Sequence, residues 1–61
     1  MPIVRVEMWA GRTETQKAEL ARAITDAVVR VAKAPPEGTI VIFQDVAKAD
    51  WATGGVLASQ S

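Results

Sequence analysis

The chain contains no cysteine and no histidine. Disulfides are therefore excluded, and so are the common metal sites built on nitrogen and sulfur ligands. Charge of one sign is lacking too: seven Lys and Arg face seven Asp and Glu, interspersed along the chain, for a net charge of zero. With no basic stripe, nucleic acid is not an expected partner. The apolar runs fall far short of a bilayer span, so no membrane partner is expected either. The first residues lack the basic-then-apolar layout of a signal peptide, and a soluble, cytoplasmic protein is the expectation.

What is present is a large apolar share, 49% of 61 residues. The length suits one small domain over residues 1–61. A chain this short buries only about 60% of its unfolded surface, so its own core is marginal. The usual remedies are disulfides, a metal or self-association, and the composition leaves the third. An oligomer is expected.

Ile3 to Trp9 reads as a strand with Val4, Val6 and Met8 on one face and Ile3, Arg5, Glu7 and Trp9 on the other. Ala10-Gly11 ends it. Thr13-Glu14-Thr15-Gln16 is a capping-box pattern, with Thr13 as the cap and Gln16 reaching back. From there to Lys33, Leu20, Ile24, Ala27, Val28 and Val31 form one apolar stripe on a helix of about twenty residues, roughly 30 Å long. Ala34-Pro35-Pro36 stops it. Glu37-Gly38 turns the chain into a second strand, Thr39 to Phe43, whose continuous apolar character suits burial on both faces in a parallel pair. Gly54-Gly55 marks a turn, with Trp51 just before it in a loop or short hairpin. Val56-Leu57-Ala58 reads as a short final strand able to pair with a neighbouring subunit. A strand, a long helix and a parallel strand make an α+β chain built on one βαβ unit. Its open edges call for other copies.

Four residues are candidates for chemistry. If Met1 is removed, Pro2 begins the chain with a secondary amine, and no histidine or cysteine competes with it in basicity. Unperturbed α-amino groups titrate at about 7.7–8, and apolar burial or a nearby cation lowers that towards the range where a general base works best. The alternative is that Pro2 only stiffens the start of the strand. Arg12 could hold a carboxylate through its two-pronged guanidinium. It could equally be a surface arginine near a helix start, although the helix dipole disfavours a cation there. Trp9 and Trp51 suit core or interface anchors, or the walls of an aromatic pocket.

As an ordered set, Met1-Pro2-Ile3-Val4, Gly11-Arg12 with Thr13-Glu14-Thr15-Gln16-Lys17, Ala34-Pro35 and Trp51-Ala52-Thr53-Gly54-Gly55 resemble 4-oxalocrotonate tautomerase. The match runs without a gap over nearly the whole chain. The resemblance implies a βαβ fold with a short C-terminal hairpin, assembled from paired subunits as a hexamer, either homohexamer or heterohexamer. It implies that Pro2, freed of Met1, is the general base interconverting the enol and keto forms of a small 2-hydroxydienoate or enol acid. Arg12 matches the arginine that holds the far carboxylate of the substrate. Trp51 falls where the family has an aromatic in the apolar wall that keeps the amine neutral. No cofactor and no metal are implied.

The chain departs from that pattern in two places. The family's second arginine, supplied by a neighbouring subunit, falls at Ile40, and Lys48 is the only cation beyond Lys33. Trp9 stands where the family has a smaller aliphatic residue. Retained Met1 would turn the Pro2 nitrogen into an amide. The expected site is therefore Pro2 as base, Arg12 as carboxylate anchor, and Trp51, Ile40 and Trp9 as apolar walls. The alternative is a catalytically silent partner subunit in a hetero-oligomer, which Ile40 favours and the intact Pro2 and Arg12 oppose.

Overall fold

Alternation of small apolar and polar side chains over Ile3–Trp9 produces strand β1 in the computed structural model, which describes residues 1–61. Val4, Val6 and Met8 are half-buried, and Ile3, Arg5, Glu7 and Trp9 are exposed. Gly11 then turns the chain at φ 128°, a backbone angle that side-chain-bearing residues rarely adopt. Helix α1 spans Glu14–Ala32. The Thr13 hydroxyl accepts the Gln16 backbone N–H at 3.1 Å, and the Gln16 side-chain oxygen accepts the Thr13 N–H at 2.9 Å. Both halves of the capping box are thus made. At its other end Lys33 caps the helix in the left-handed conformation, φ 60°, two residues before Pro35.

Strand β2 is Ile40–Val46, not Thr39 to Phe43. It begins one residue late because Thr39 closes a 3-10 turn over Pro36–Gly38, donating its N–H to Pro36 at 3.2 Å and its hydroxyl to Pro35 at 3.0 Å. It continues through Gln44 and Asp45, poor strand formers by composition, because β1 offers ladder partners as far as Trp9. The parallel register sets Ile3 beside Ile40 and Trp9 beside Val46.

Residues paired across a parallel ladder share a face, so Val4, Val6 and Met8 lie with Val41, Phe43 and Asp45. Helix α1 covers this face, and its Lys17 ammonium reaches Asp45 at 2.7 Å. The half-buried helix positions are Lys17, Ala21, Ile24, Thr25, Val28 and Val29. Only Ile24 and Val28 of the expected stripe belong to that seam. Leu20, Ala27 and Val31 lie along its exposed flank, Val31 at 74%. Burial of β2 on both faces is correspondingly incomplete: Val41, Ile42 and Phe43 are half-buried, whereas Ile40 is exposed.

A 3-10 turn over Lys48–Asp50 leads into two short antiparallel strands, β3 (Ala52–Thr53) and β4 (Val56–Leu57). Gly54 and Gly55 both take positive φ, 60° and 83°, which a two-residue type I′ hairpin turn requires. Val56 and Leu57 therefore pair with Thr53 and Ala52 of the same chain. The strand reading holds for Val56 and Leu57, while Ala58 belongs to a closing 3-10 turn. The parallel pair, single long helix and C-terminal hairpin of the expected α+β arrangement are all present. Not one of the 61 residues is fully buried.

Candidate active site

Position along β1 sorts the candidate residues into two groups. Pro2 and Ile40 share the beginning of the sheet, where the Ile40 N–H donates to the Pro2 carbonyl at 3.0 Å. Pro2 is half-buried and Ile40 is 39% exposed. Trp9, Arg12 and Trp51 gather at the far end. At about 3.3 Å per residue, the seven steps from Pro2 to Trp9 span roughly 23 Å. The Pro2–Arg12 partnership expected of the site is therefore not made within one chain.

At the far end, the turn at Gly11 brings Arg12 back over the strand, and its Nη1 donates to the Trp9 carbonyl at 3.3 Å. The hairpin places Trp51. Its carbonyl accepts the Ala58 N–H at 2.7 Å, and its ring meets that of Trp9 edge to face, with centroids 6.0 Å apart and planes at 76°. The Lys48 ammonium sits over the Trp9 ring, 4.8 Å from its centroid, within cation–π range. Glu7, Met8, Trp9, Arg12 and Trp51 line a cleft of about 170 Å³, which Lys48 adjoins through the Trp9 ring without lining it. The chain's one ion pair, Lys17–Asp45, leaves Arg12 and Lys48 without a carboxylate partner. A larger recess, about 430 Å³, lies against Glu14, Ala18 and Arg22 on the first turns of α1 and holds no candidate residue.

Sequence reasoning placed Pro2, Arg12, Trp51, Ile40 and Trp9 in one site; within one chain Trp9, Arg12 and Trp51 come together at one end of the sheet, and Pro2 and Ile40 at the other. It did not reach Lys48, Glu7 or Met8. Lys48 had one signal, as the only cation beyond Lys33, and its spacing of three from Trp51 spans one 3-10 turn. Nothing in the sequence tied it to Trp9, 39 positions away.

The chemistry open to the far end is recognition. A guanidinium free of protein carboxylates binds a substrate carboxylate with two parallel hydrogen bonds. Two indole rings offer flat apolar walls to a conjugated chain. Glu7 supplies the only carboxylate lining the cleft. No three His, Cys, Asp or Glu residues gather where they could hold a metal, and no helix is long and apolar enough to cross a membrane.

A family model described as tautomerase enzyme matches residues 2–60. A probable tautomerase of Streptococcus thermophilus (strain CNRZ 1066) is 50% identical over 46 residues, 75% of either chain. Among solved structures, a 4-oxalocrotonate tautomerase isozyme from Methylibium petroleiphilum superposes with a TM-score of 0.90 at 36% identity, covering 97% of this chain and 95% of that one. A heterohexamer 4-oxalocrotonate tautomerase from Chloroflexus aurantiacus J-10-fl superposes with a TM-score of 0.92 at 35% identity, over 98% and 97% of the two chains.

Proposed function

The chain belongs to the tautomerase family, and on that premise we propose that it is an isomerase interconverting the enol and keto forms of a small 2-hydroxydienoate or enol acid. The Pro2 amine, exposed by removal of Met1, is the base. It takes the proton of the enol hydroxyl, the double bonds shift along the conjugated chain, and the amine returns the proton to a distant carbon. Arg12 holds the carboxylate at that distant end and draws electron density towards it. Trp9 and Trp51 exclude water from the conjugated chain and from the neutral amine. Ile40 is an apolar wall beside the base.

The observation that carries this reading is the division of the candidate residues between the two ends of β1. The strand pairs with β2 on one edge only. Antiparallel pairing of its open edge with β1 of a second copy sets the Pro2 end of one chain beside the Arg12 end of the other. One such pair completes two equivalent sites. Exposed Ile3, Ile40, Leu20 and Val31 supply apolar surface for that pair and for higher assembly.

The test is ketonisation of phenylenolpyruvate by the purified chain, with intact mass confirming that Met1 is absent. A second preparation carries one retained residue ahead of Pro2, which makes its nitrogen an amide. The native chain is expected to turn over this enol, and the blocked chain to lose about 10²–10⁴-fold in kcat/KM, the usual share of a general base. Equal rates would remove Pro2 from the mechanism. A silent-partner role in a hetero-oligomer is the second reading, favoured by the uncharged Ile40 at the Pro2 end and by the heterohexameric relative. It requires that the chain alone be inactive and gain activity only with a second, different chain.

A further inference from the structure

We infer that Lys48 is a second substrate-binding residue of the Arg12 cleft, meeting a second anionic group on the substrate, with Trp9 as the platform that holds it there. Trp9 carries two cations at once. Its backbone carbonyl accepts Arg12 Nη1 at 3.3 Å, and its ring lies 4.8 Å beneath Lys48 Nζ. Neither cation is neutralised by a protein carboxylate, since the single ion pair of the chain lies elsewhere, between Lys17 and Asp45. Counting the Glu7 carboxylate on the cleft wall, these three groups leave one net positive charge beside the cleft. An ammonium over an indole face is attracted by the ring but keeps its hydrogen-bond donors for another partner.

The two cations suit different tasks. The planar Arg12 fork is saturated by one carboxylate bound bidentately. Lys48 is a compact charge on a flexible stem and can follow a second anion across the ring. The Trp9 and Trp51 rings, packed edge to face beside these cations, present flat apolar surface that suits a flat spine better than a branched one. The ligand this arrangement selects is a flat conjugated acid bearing an anionic group at each end. Since Trp9, Arg12, Lys48 and Trp51 are all held on one chain, any assembled site that includes Arg12 includes Lys48. Ile40, at the opposite end of the sheet, has no part in this contact.

The role given to Lys48 rests on the isomerase reading only for where the substrate lies, so it is tested by binding and not by turnover. Two unreactive probes separate the charges: trans,trans-muconate and sorbate share a flat diene and one carboxylate. They differ by a second carboxylate in place of a methyl group. Isothermal titration calorimetry of the native oligomer, with Met1 removed, is expected to show muconate bound about tenfold more tightly than sorbate at low salt. That preference should shrink as salt is raised, as for any exposed charge contact. Lys48→Met should bring the two affinities within about twofold, by weakening muconate alone, and Lys48→Arg should retain most of the preference. Lys48 is exposed in its 3-10 turn, so neither change disturbs the fold. Equal binding of the two probes by the native chain would overturn the assignment, as would a muconate preference that survives Lys48→Met. Muconate selectivity without phenylenolpyruvate turnover would instead count against the isomerase reading and leave Lys48 in place.

Discussion

In the proposed mechanism a proton acceptor and an anion anchor make opposite demands on their surroundings, and the two roles fall to opposite ends of β1. The amine of Pro2 has to be neutral to accept a proton, which favours half-burial beside apolar Ile40. Arg12 is always charged and makes no ion pair with a protein carboxylate, which leaves its guanidinium open to a ligand. The weakness of the Pro2 end follows from the same residues. In the proposed mechanism, charge that develops on the enolate oxygen meets no cation from the chain that supplies Pro2, and a missing donor of that kind costs about 10²–10³-fold in kcat. Ile40→Arg should recover part of this, raising kcat about tenfold on a 2-hydroxydienoate with a carboxylate at each end. Steady-state kinetics on both variants check it, and an unchanged or lower kcat would mean that position 40 does not face the reacting oxygen. The gain should lie in kcat, whereas Lys48 acts on binding. At this scale Pro2 and Arg12 stand out in the sequence because each has a property that needs no partner to be noticed: a secondary amine, and a cation at a helix start. The Trp9–Lys48 contact was not legible, because it joins distant positions and exists only once the hairpin and its 3-10 turn have formed.

Each regular element owes its limits to contacts of different range. Both ends of α1 are set locally: Thr13 and Gln16 satisfy each other's backbone N–H groups, and two prolines follow the left-handed Lys33. Removing the cap through Thr13→Ala should therefore cost about 1 kcal/mol of stability. Urea unfolding at fixed protein concentration measures this, since any coupling to assembly makes stability depend on concentration. No loss would show that the capping box seen here does not stabilise the helix. The hairpin is equally local, because two adjacent glycines can take the successive positive φ values that Gly54 and Gly55 show. Strand β2 and the buried face of α1 were less legible. Gln44 and Asp45 join the strand because β1 lies alongside them, and Asp45 then holds Lys17 against the sheet. The buried seam consequently runs through Ala21, Thr25 and Val29, while the larger Leu20 and Val31 stay outside it. A pattern read from side-chain hydrophobicity alone favours the larger residues.

The whole chain is a slab, 42 × 24 × 14 Å, with a radius of gyration of 14.4 Å. A compact domain of this length would have a radius near 10.5 Å, following the usual size scaling. A flat body with half its residues apolar and none fully buried has little core of its own. The proposed self-association would account at once for the missing core and for the separation of Pro2 from Arg12. The composition already pointed to assembly. Which residues it would unite was hidden until the strand set Pro2 and Arg12 at opposite ends. Mixing two disabled chains tests this most directly. One carries a retained residue that blocks the Pro2 nitrogen; the other carries Arg12→Ala. Each alone should be nearly inactive on a 2-hydroxydienoate with a carboxylate at each end. If every site joins Pro2 of one copy to Arg12 of its partner, unfolding and refolding an equal mixture should restore about a quarter of the native rate, since half of the random pairs are mixed and each of those has one intact site. A mixture no more active than its two components, beside an active native chain, would contradict the shared site.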